Sequence, residues 1–386
     1  MPIICTPQPA QPMFFATAQL PSTVGGNVPG QRRWTTLKKG RKHLYFLTLQ
    51  SSPPRMPAHP RPPQTHPMLP FYPVVNDEFA AVNALILREL HSEVPLVENI
   101  GHYLIEAGGK RLRPLLVLLS AKACGYQGSD HISLAAVIEF IHSATLLHDD
   151  VVDTSDLRRG RLTANARWGN APSVLVGDFL YSRAFQMMVA LGNLDIMRIL
   201  ADTTNAISEG EVQQLINAGN DQTSEHDYLQ VIDKKTAKLF EAAARCGAVV
   251  AGAAPSASSL ARYGHHIGMA FQLVDDALDY SSSSEALGKN IGDDLAEGKA
   301  TLPLIHVLNK GSSEQAQLVR DAIKDGGLNQ LDAVLAAIQD TGAIGYTLDL
   351  ARFHVEQAIE NLQPLPDSSA KTALTELARF AVERTS

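Results

Sequence analysis

Two acidic clusters of the same form, Asp-Asp-x-x-Asp, lie 126 positions apart in apolar sequence of helical character. The first cluster contains Asp149, Asp150 and Asp153, and the second contains Asp275, Asp276 and Asp279. On a helix, positions i, i+1 and i+4 share one side, so each cluster can converge on a single point. Because carboxylates in apolar surroundings are costly without a compensating cation, the fold must bring cations to both clusters.

Apolar residues recur at three- and four-residue spacing from about Asp77 onward, whereas the Val/Ile/Thr alternation of strands is scarce. Glycine and proline punctuate this pattern at intervals, and 45% of the residues are apolar, enough for a substantial core. We therefore predict an all-α fold for residues 77–386: a large single-domain bundle of roughly a dozen helices.

The first 76 residues have a different composition, with eight of the basic residues, no acidic residue and 15 of the 22 prolines. Such a segment is typical of disorder. Three interpretations remain open: an inert tail, a misassigned start with Met68 as the true one, or a targeting peptide. The third is less favoured, because no amphipathic helix with spaced arginines is evident.

The remaining composition excludes several classes of protein. The three cysteines are far apart, which indicates no disulfide framework and fits a reducing compartment. No uncharged apolar run approaches the roughly 18 residues of a membrane span. The basic leader is followed by a body of net charge −15, so a continuous nucleic-acid surface is not expected.

The clusters predict a magnesium-dependent diphosphate site. Mg²⁺ prefers oxygen ligands and is typically bound by one or two carboxylates together with substrate phosphates. Lysine and arginine side chains near the clusters match phosphate oxygens, the arginines in bidentate fashion. The candidates are Lys110 and Arg113 in a glycine-led loop, Arg158, Arg159, Lys235, Lys289 and Lys299.

Each feature also has an ordinary structural explanation. A single acidic cluster is equally typical of a solvated helix face, each basic residue of a surface charge, and His142 of a partly buried helical histidine. The placement of the basic residues beside both clusters favours a site that binds two diphosphates, one through metal and one through cations alone.

Six motifs occur in a fixed order: GGKRLRP, DDVVDTSDLRRG, GDFLYSRAF, KTAKLFEAA, FQLVDDALDY and GDDLAEGKATLPL. In this order they resemble the trans-isoprenyl (polyprenyl) diphosphate synthases over about residues 77–386, and most closely the bacterial members that make octaprenyl diphosphate. The resemblance implies a helical bundle of the isoprenoid synthase type with a central apolar cavity. It also implies condensation of isopentenyl diphosphate onto an allylic diphosphate, farnesyl diphosphate being the expected primer, to give a C40 polyprenyl diphosphate for a quinone side chain.

The resemblance also assigns roles to individual residues. It implies that Mg²⁺, three ions per site with substrate bound, is held by Asp149, Asp150, Asp153, Asp275, Asp276 and Asp279. It implies that the allylic diphosphate contacts Arg158, Lys235 and Lys289, and that isopentenyl diphosphate contacts Lys110, Arg113, His142 and Arg159. It further implies that Thr236 and Gln272 steady the reacting region and that Lys299 closes the site.

A homodimer in a bacterial cytoplasm is implied as well, with a peripheral membrane association through the product, which would need the membrane for its release.

Product length is expected to depend on Ala144 and Thr145, which precede Asp149 by about one helical turn. In the resembled family, bulky aromatic residues at these positions accompany short products, so this small pair predicts a long one. Eight isoprene units of on the order of 5 Å each need about 40 Å of tunnel. Phe185, Met187 and Met188 are candidates for its far wall.

Other functions remain open from the sequence. Nonaprenyl, decaprenyl or shorter products fit the same motifs. A class I terpene cyclase also ionises an allylic diphosphate, but it needs no second diphosphate pocket. A non-catalytic partner subunit is a third alternative, although such subunits typically have eroded aspartate motifs and both motifs are complete here.

Overall fold

The computed structural model describes residues 71–281 and 292–384 of the 386-residue chain. Within these ranges the fold is helical, apart from one two-stranded hairpin, as the apolar spacing predicts.

The first half contains α1 (Asn76–Glu89), α2 (Pro95–Glu106), α3 (Leu112–Ala123), α4 (Asp130–Val152), β1 (Leu157–Arg158), β2 (Arg161–Leu162), α5 (Ala164–Trp168), α6 (Asn170–Leu191) and α7 (Leu194–Asn217). The second half contains α8 (Glu225–Ile232), a π-helical turn (Asp233–Ala237), α9 (Lys238–Val250), α10 (Ala254–Ser281), α11 (Asp293–Ala296), α12 (Leu302–Lys310), α13 (Ser313–Asp325), α14 (Leu331–Asp340), α15 (Ala343–Asn361) and α16 (Ser369–Glu383). Two 3₁₀ turns, Pro73–Val75 and Leu328–Gln330, complete the described elements.

The core forms around α3, α4, α9 and α10. Helix α4 packs against α3 and α6, and α10 packs against α9 and α15. Each of these helices buries a broad apolar face, and residues 134–138 of α4 are all buried. The acidic clusters lie at the C-terminal ends of α4 and α10, so these two core helices carry both clusters.

Close packing fixes the π-helical turn between α7 and α10. A Cβ atom at Gly268 of α10 would lie 2.5 Å from the Cα atom of Ala237, and one at Gly210 of α7 would lie 2.9 Å from the backbone nitrogen of Lys235. Only glycine permits both approaches without a shift of the backbone. Lys235 and Thr236 are thus presented from a widened turn of a kind often found at functional sites.

The packed domain includes residues that composition assigns to the leader. Phe71 is fully buried and lies edge-on to Phe380 of α16, and Val75 is also buried. Phe71 and Val75 therefore pack with the helical domain, although composition groups them with the proline-rich leader. The predicted disorder of residues 1–70 concerns a segment outside the residues that the structure describes.

Two described helices, α4 and α6, are long and apolar enough to cross a membrane by length and composition alone. In α4, 67% of the apolar window is buried inside the fold, as expected of a core helix. In α6 only 33% is buried. Core helices of globular proteins pass the same test, so this is weak support for a membrane span.

Candidate active site

A cleft of about 790 Å³ opens where α4, α7, α10 and the π-helical turn meet. Its lining includes Asp149 and Asp153 from α4 and Asp275 and Asp276 from α10. The two acidic clusters predicted to act together therefore line one cavity. Charged side chains from several elements line the cleft together with apolar ones.

In the first cluster, Asp149 and Asp153 are the members that line the cleft. The Oδ2 atom of Asp149 lies 3.7 Å from Nζ of Lys235, and Oδ2 of Asp153 accepts a hydrogen bond of 3.0 Å from Nζ of Lys299. Both carboxylates are paired with lysines supplied by other parts of the chain. A cation that replaced either lysine would find a carboxylate already aimed into the cavity.

Asp150 has different surroundings, because it is buried and contacts Arg158. Its Oδ1 atom accepts hydrogen bonds from Nε and Nη2 of Arg158 at 2.8 and 2.7 Å. Burial raises the pKa of Asp150, and the arginine opposes that rise. The structure thus brings these two predicted site residues together as an ion pair, with Arg158 reaching the cleft.

The second cluster is largely occupied by protein contacts. Asp276 is 2% exposed and accepts hydrogen bonds from Tyr228 Oη at 2.5 Å and from Gln272 Nε2 at 2.8 Å. Asp279 is fully buried, and its Oδ2 atom accepts a hydrogen bond from the Asp294 amide. Only Asp275 is substantially exposed, at 44%, and it is paired with Arg384 at 2.6 Å.

Burial raises the pKa of Asp276 well above its usual range, and the nearby Asp294 adds to the rise. Neither buried aspartate can present two free oxygens to a metal without a rearrangement.

A hairpin positions the predicted arginine pair. Leu157 pairs with Leu162 and Arg158 with Arg161, which leaves Arg159 and Gly160 as a two-residue turn with positive φ angles of 52° and 69°. This is the geometry of tight hairpin turns that match the strand twist. Arg158 and Arg159 are thereby held next to each other at the rim of the cleft.

The GGKRLRP loop forms the other rim. Gly109 has φ 136°, and a Cβ atom there would lie 2.7 Å from Nη1 of Arg159, whose guanidinium donates to the carbonyl of Gly108. The positive φ is what requires glycine here, and the guanidinium fills the space that a Cβ atom would occupy. Lys110 and Arg113 line the cleft beside it, so the structure brings Lys110, Arg113 and Arg159 together.

His142 lies two turns before Asp149 on α4 and lines the same cleft. Its Nε2 atom is 3.2 Å from Nη1 of Arg113, whose guanidinium stacks over the ring of Phe240 at 4.2 Å. Burial and then the neighbouring Arg113 lower the pKa of His142 well below its usual value. A neutral imidazole can accept a hydrogen bond from Arg113 and so orient it.

Thr236 and Gln272 form a chain of hydrogen bonds to the second cluster. Thr236 Oγ1 donates to Gln272 Oε1 at 2.8 Å, and Gln272 in turn donates to Asp276. Both residues line the cleft. Lys289 lies outside the described residues.

The residues that were missed from the sequence include three acids and one arginine. Glu211 of α7, Asp294 of α11 and Arg384 line the cleft, and Glu297 contacts Lys299. Asp294 and Glu297 belong to GDDLAEGKATLPL, so that motif was a usable signal. Glu211 and Arg384 had no such signal, since one lies in an ordinary helix and the other follows the last helix.

The two predicted chain-length residues differ in position. Thr145 lines the cleft, whereas Ala144 is fully buried and does not. Phe185 is 39% exposed and Met187 and Met188 are buried, and none of the three lines the described cleft. Thr145 is thus the member of the pair that faces the cavity below Asp149.

The residues present fit magnesium. Asp149, Asp153 and Asp275 offer carboxylate oxygens to one cavity, with no sulfur or nitrogen ligand among the three, and such oxygen sets suit Mg²⁺. No compact group of three or more His, Cys, Asp or Glu side chains is preformed within the described residues. Substrate oxygens would complete such a site, as is usual for Mg²⁺.

The fold and this site define a class: a helical enzyme whose cleft holds anionic substrates between carboxylates and a rim of cations. The sequence pattern of the family "Polyprenyl synthetase" matches residues 94–340. The chain belongs to this family, and it is a prenyltransferase of the trans-polyprenyl diphosphate synthase type. The resemblance inferred from the six motifs is confirmed.

Individual relatives agree with this assignment. The chain is 51% identical to octaprenyl diphosphate synthase of Escherichia coli (strain K12), over 80% of this chain and 96% of that protein. It is 47% identical to the all-trans-nonaprenyl-diphosphate synthase (geranyl-diphosphate specific) of Rhodobacter capsulatus, over 81% and 96% of the two chains.

Among solved structures, polyprenyl synthase from Caulobacter crescentus CB15, complexed with calcium and isoprenyl diphosphate, superposes with a TM-score of 0.80. The two chains are 43% identical, with 82% of this chain and 97% of that chain covered. The all-α fold is confirmed. Magnesium dependence is general in the family.

Proposed function

We propose that this protein makes all-trans octaprenyl diphosphate by sequential condensation of isopentenyl diphosphate onto an allylic diphosphate, with farnesyl diphosphate as the expected primer. The observation that carries the proposal is the single cleft, in which Asp149 and Asp153 lie on one wall and Asp275 on another, between two groups of cations. The product length is supported by the 51% identity to an octaprenyl diphosphate synthase.

Two groups of basic residues would each bind one of the two diphosphates. Arg158, Lys235 and Lys299, next to the first aspartate cluster, would bind the allylic diphosphate, with Lys289 as a further proposed contact. Lys110, Arg113 and Arg159 would bind isopentenyl diphosphate at the glycine rim, with His142 orienting Arg113. Holding both substrates in one cavity converts their encounter into an intramolecular event.

Magnesium, when bound by Asp149, Asp153 and Asp275, would neutralise charge on the departing diphosphate. We propose three ions per site, with Asp150, Asp276 and Asp279 contributing after rearrangement or through the partners that they hold. Lys235 and Arg158 stabilise the same charge as it develops, so the allylic C–O bond breaks more readily. The double bond of isopentenyl diphosphate then attacks the allylic cation, and the adduct loses a proton to the released diphosphate.

Apolar side chains of the cleft protect the cation from water. Phe240, Phe271 and Leu278 line it beside the charged groups. Exclusion of water prevents hydrolysis of the reactive intermediate. Thr236 and Gln272 would keep the reacting region in place through their hydrogen-bonded chain.

We further propose that the protein is a homodimer that acts in a bacterial cytoplasm and passes its product to a membrane. An unusually apolar outer face supports the dimer: Val174, Leu175, Phe185 and Val189 of α6 are 37 to 66% exposed. These positions fall within an arc of about 100° on the helix, so they form one stripe. On α7, the apolar residues Val212, Leu215 and Ile216 are also exposed.

The test is incubation of the chain, purified alone, with farnesyl diphosphate, labelled isopentenyl diphosphate and Mg²⁺, followed by sizing of the product. A C40 product supports the proposal. A C45 product would favour the second candidate, a nonaprenyl synthase, which the 47% identity to such an enzyme supports. No elongation by the chain alone would favour a partner-dependent subunit.

A further inference from the structure

Lys235 is held by a carboxylate outside both aspartate clusters. Its Nζ atom lies 2.6 Å from Oε2 of Glu211, but 3.7 Å from Oδ2 of Asp149. The three side chains are largely buried, at 19%, 25% and 15% exposure respectively. The ammonium group therefore makes its direct contact with Glu211 and only a longer one with the aspartate cluster.

The backbone fixes this contact. Gly210 lets α7 approach the π-helical turn so closely that a Cβ atom there would meet Lys234 Cβ at 2.8 Å. The residues on either side of Gly210 each pair with one lysine of the turn. Glu211 pairs with Lys235 inside the cleft, and Glu209 pairs with Lys234 at 3.5 Å on a more exposed surface. The second pair is a natural control for the first.

We propose that Glu211 is a positioning residue: it holds the ammonium group of Lys235 away from Asp149, so that the Asp149 carboxylate stays available to a divalent cation. This inference rests on the proposed function of the cleft. Opposite charges at this separation in a partly buried site attract strongly. Without Glu211, Lys235 would close the gap to Asp149 and compete with the cation for the same oxygens.

Glu211 also provides the ion-pair partner of Lys235 when no substrate is bound. When the allylic diphosphate binds, Lys235 can swing from one anionic partner to another, because its flexible stem carries three rotatable donors. The lysine then need not be desolvated without a partner at any stage. Glu211 would act through Lys235 rather than on the substrate.

The experiment is a calorimetric titration of Mg²⁺ into the full chain in the presence of inorganic pyrophosphate. For Glu211→Ala we expect the apparent dissociation constant of Mg²⁺ to rise by about 5- to 20-fold, the size of an ordinary coupling energy between two sites. Glu211→Gln should be intermediate, since its amide oxygen accepts the same hydrogen bond without the charge. Glu209→Ala should equal the wild type.

A second background separates positioning from direct metal binding. In Lys235→Met, adding Glu211→Ala should no longer weaken Mg²⁺ binding, because the competing ammonium is gone. An undiminished effect in that background would mean that Glu211 binds the metal itself, and would overturn the inference.

The remaining outcomes are also decisive. Equal Mg²⁺ affinity in Glu211→Ala and wild type refutes the inference but leaves the proposed function intact. Failure of the wild type to bind Mg²⁺ with pyrophosphate counts against the proposed function itself. If Glu211→Ala does not fold, the comparison of Glu211→Gln with wild type, each with and without Lys235→Met, decides the question.

Discussion

Three aspartates of the two clusters line the cleft and lie next to a basic side chain of the protein itself. Asp149 faces Lys235, Asp153 binds Lys299, and Asp275 binds Arg384. Although burial disfavours its charge, Asp153 and Glu297 raise the pKa of Lys299, so it stays protonated. A magnesium diphosphate complex carries both signs of charge and can replace both halves of these pairs at once. Substrate binding would thus replace ion pairs within the protein with ion pairs between the protein and the magnesium diphosphate complex. No buried charge is then left unpaired.

The first cluster predicts two different outcomes for two adjacent alanine substitutions. For Asp149→Ala we expect turnover to fall by about 10³-fold or more, because a group that stabilises developing charge is lost. Its partner Lys235 keeps Glu211, so the fold should be little affected. Steady-state kinetics together with chemical denaturation measure the two effects. Near-wild-type activity in saturating Mg²⁺ would refute the assignment.

Asp150→Ala should also reduce turnover, but with a clear loss of stability. Asp150 is buried and accepts both hydrogen bonds from Arg158, which would be left in the protein without its partner. Such an unpaired group costs about 1–3 kcal/mol, and partial solvent access of Arg158 favours the lower end. Chemical denaturation should therefore rank Asp150→Ala below Asp149→Ala. The opposite ranking would show that Arg158 finds another partner.

A pair of histidines between α10 and α15 predicts how stability depends on pH. The Nδ1 atoms of His266 and His354 lie 2.9 Å apart, and burial, followed by the neighbouring histidines, lowers the pKa of each to about 4. In the unfolded chain a histidine titrates near pH 6.5. Between these values the unfolded state binds more protons, so stability is full above about pH 6.5 and falls as the pH decreases towards 4.

Replacing both histidines with glutamine should flatten this dependence. Unfolding free energies measured by denaturant titration between pH 7 and pH 4.5 give the slope. His226→Gln provides the matched control, because His226 is exposed, hydrogen-bonds the neutral Gln230 side chain and should leave the slope little changed. An unaltered slope in the double variant would contradict the prediction.

At the scale of whole elements, helical periodicity accounts for part of the site. It indicates that Asp149 and Asp153 share one side at the C-terminal end of α4, and both line the cleft. It cannot show that Asp150 turns to Arg158 or that Asp276 is enclosed by Tyr228, because those contacts depend on where a hairpin and another helix pack. Arg384 closes on Asp275 from the far end of the chain, which no local pattern encodes.

Helix α4 carries the two small residues expected to control product length, and the structure leads to different predictions for Thr145 and Ala144. Thr145 lines the cleft one turn below Asp149, so Thr145→Phe should shorten the product by blocking the path of the tail. Product sizing from farnesyl diphosphate and labelled isopentenyl diphosphate measures this. Wild-type length in a folded Thr145→Phe variant would show that the tail grows in another direction.

Ala144 is fully buried in the core and outside the cleft lining. Ala144→Phe should therefore lower the unfolding free energy, typically by about 1–3 kcal/mol or more for an overpacked core position. It serves as the matched comparison for Thr145→Phe. If Ala144→Phe instead shortens the product without loss of stability, the tail must pass between α4 and a neighbouring helix.

At the scale of the whole molecule, the apolar pattern predicts the class of fold but not which faces stay exposed. Helix α6 is as apolar as the core helix α4, yet only a third of its apolar window is covered within one chain. A contiguous apolar surface of this kind is typical of a protein interface. Periodicity alone could not distinguish the two helices, since both are apolar over most of their circumference.

This surface predicts a dimer that a single charge should disrupt. Leu175 is 66% exposed near the start of α6, in the same stripe as Val189, and Leu175→Glu would place a carboxylate in the proposed interface. An unpaired buried charge is strongly unfavourable, so we expect the variant to be monomeric at concentrations where the wild type is dimeric. Light scattering coupled to size exclusion measures the mass.

Phe353→Glu is the control, because Phe353 is 51% exposed on α15, away from this stripe, and should leave the dimer intact. Since the carboxylates and cations named above for the cleft all come from one chain, a folded Leu175→Glu monomer should still bind Mg²⁺ with pyrophosphate. A wild-type chain that is monomeric at every concentration would instead leave the apolar stripe of α6 to another partner.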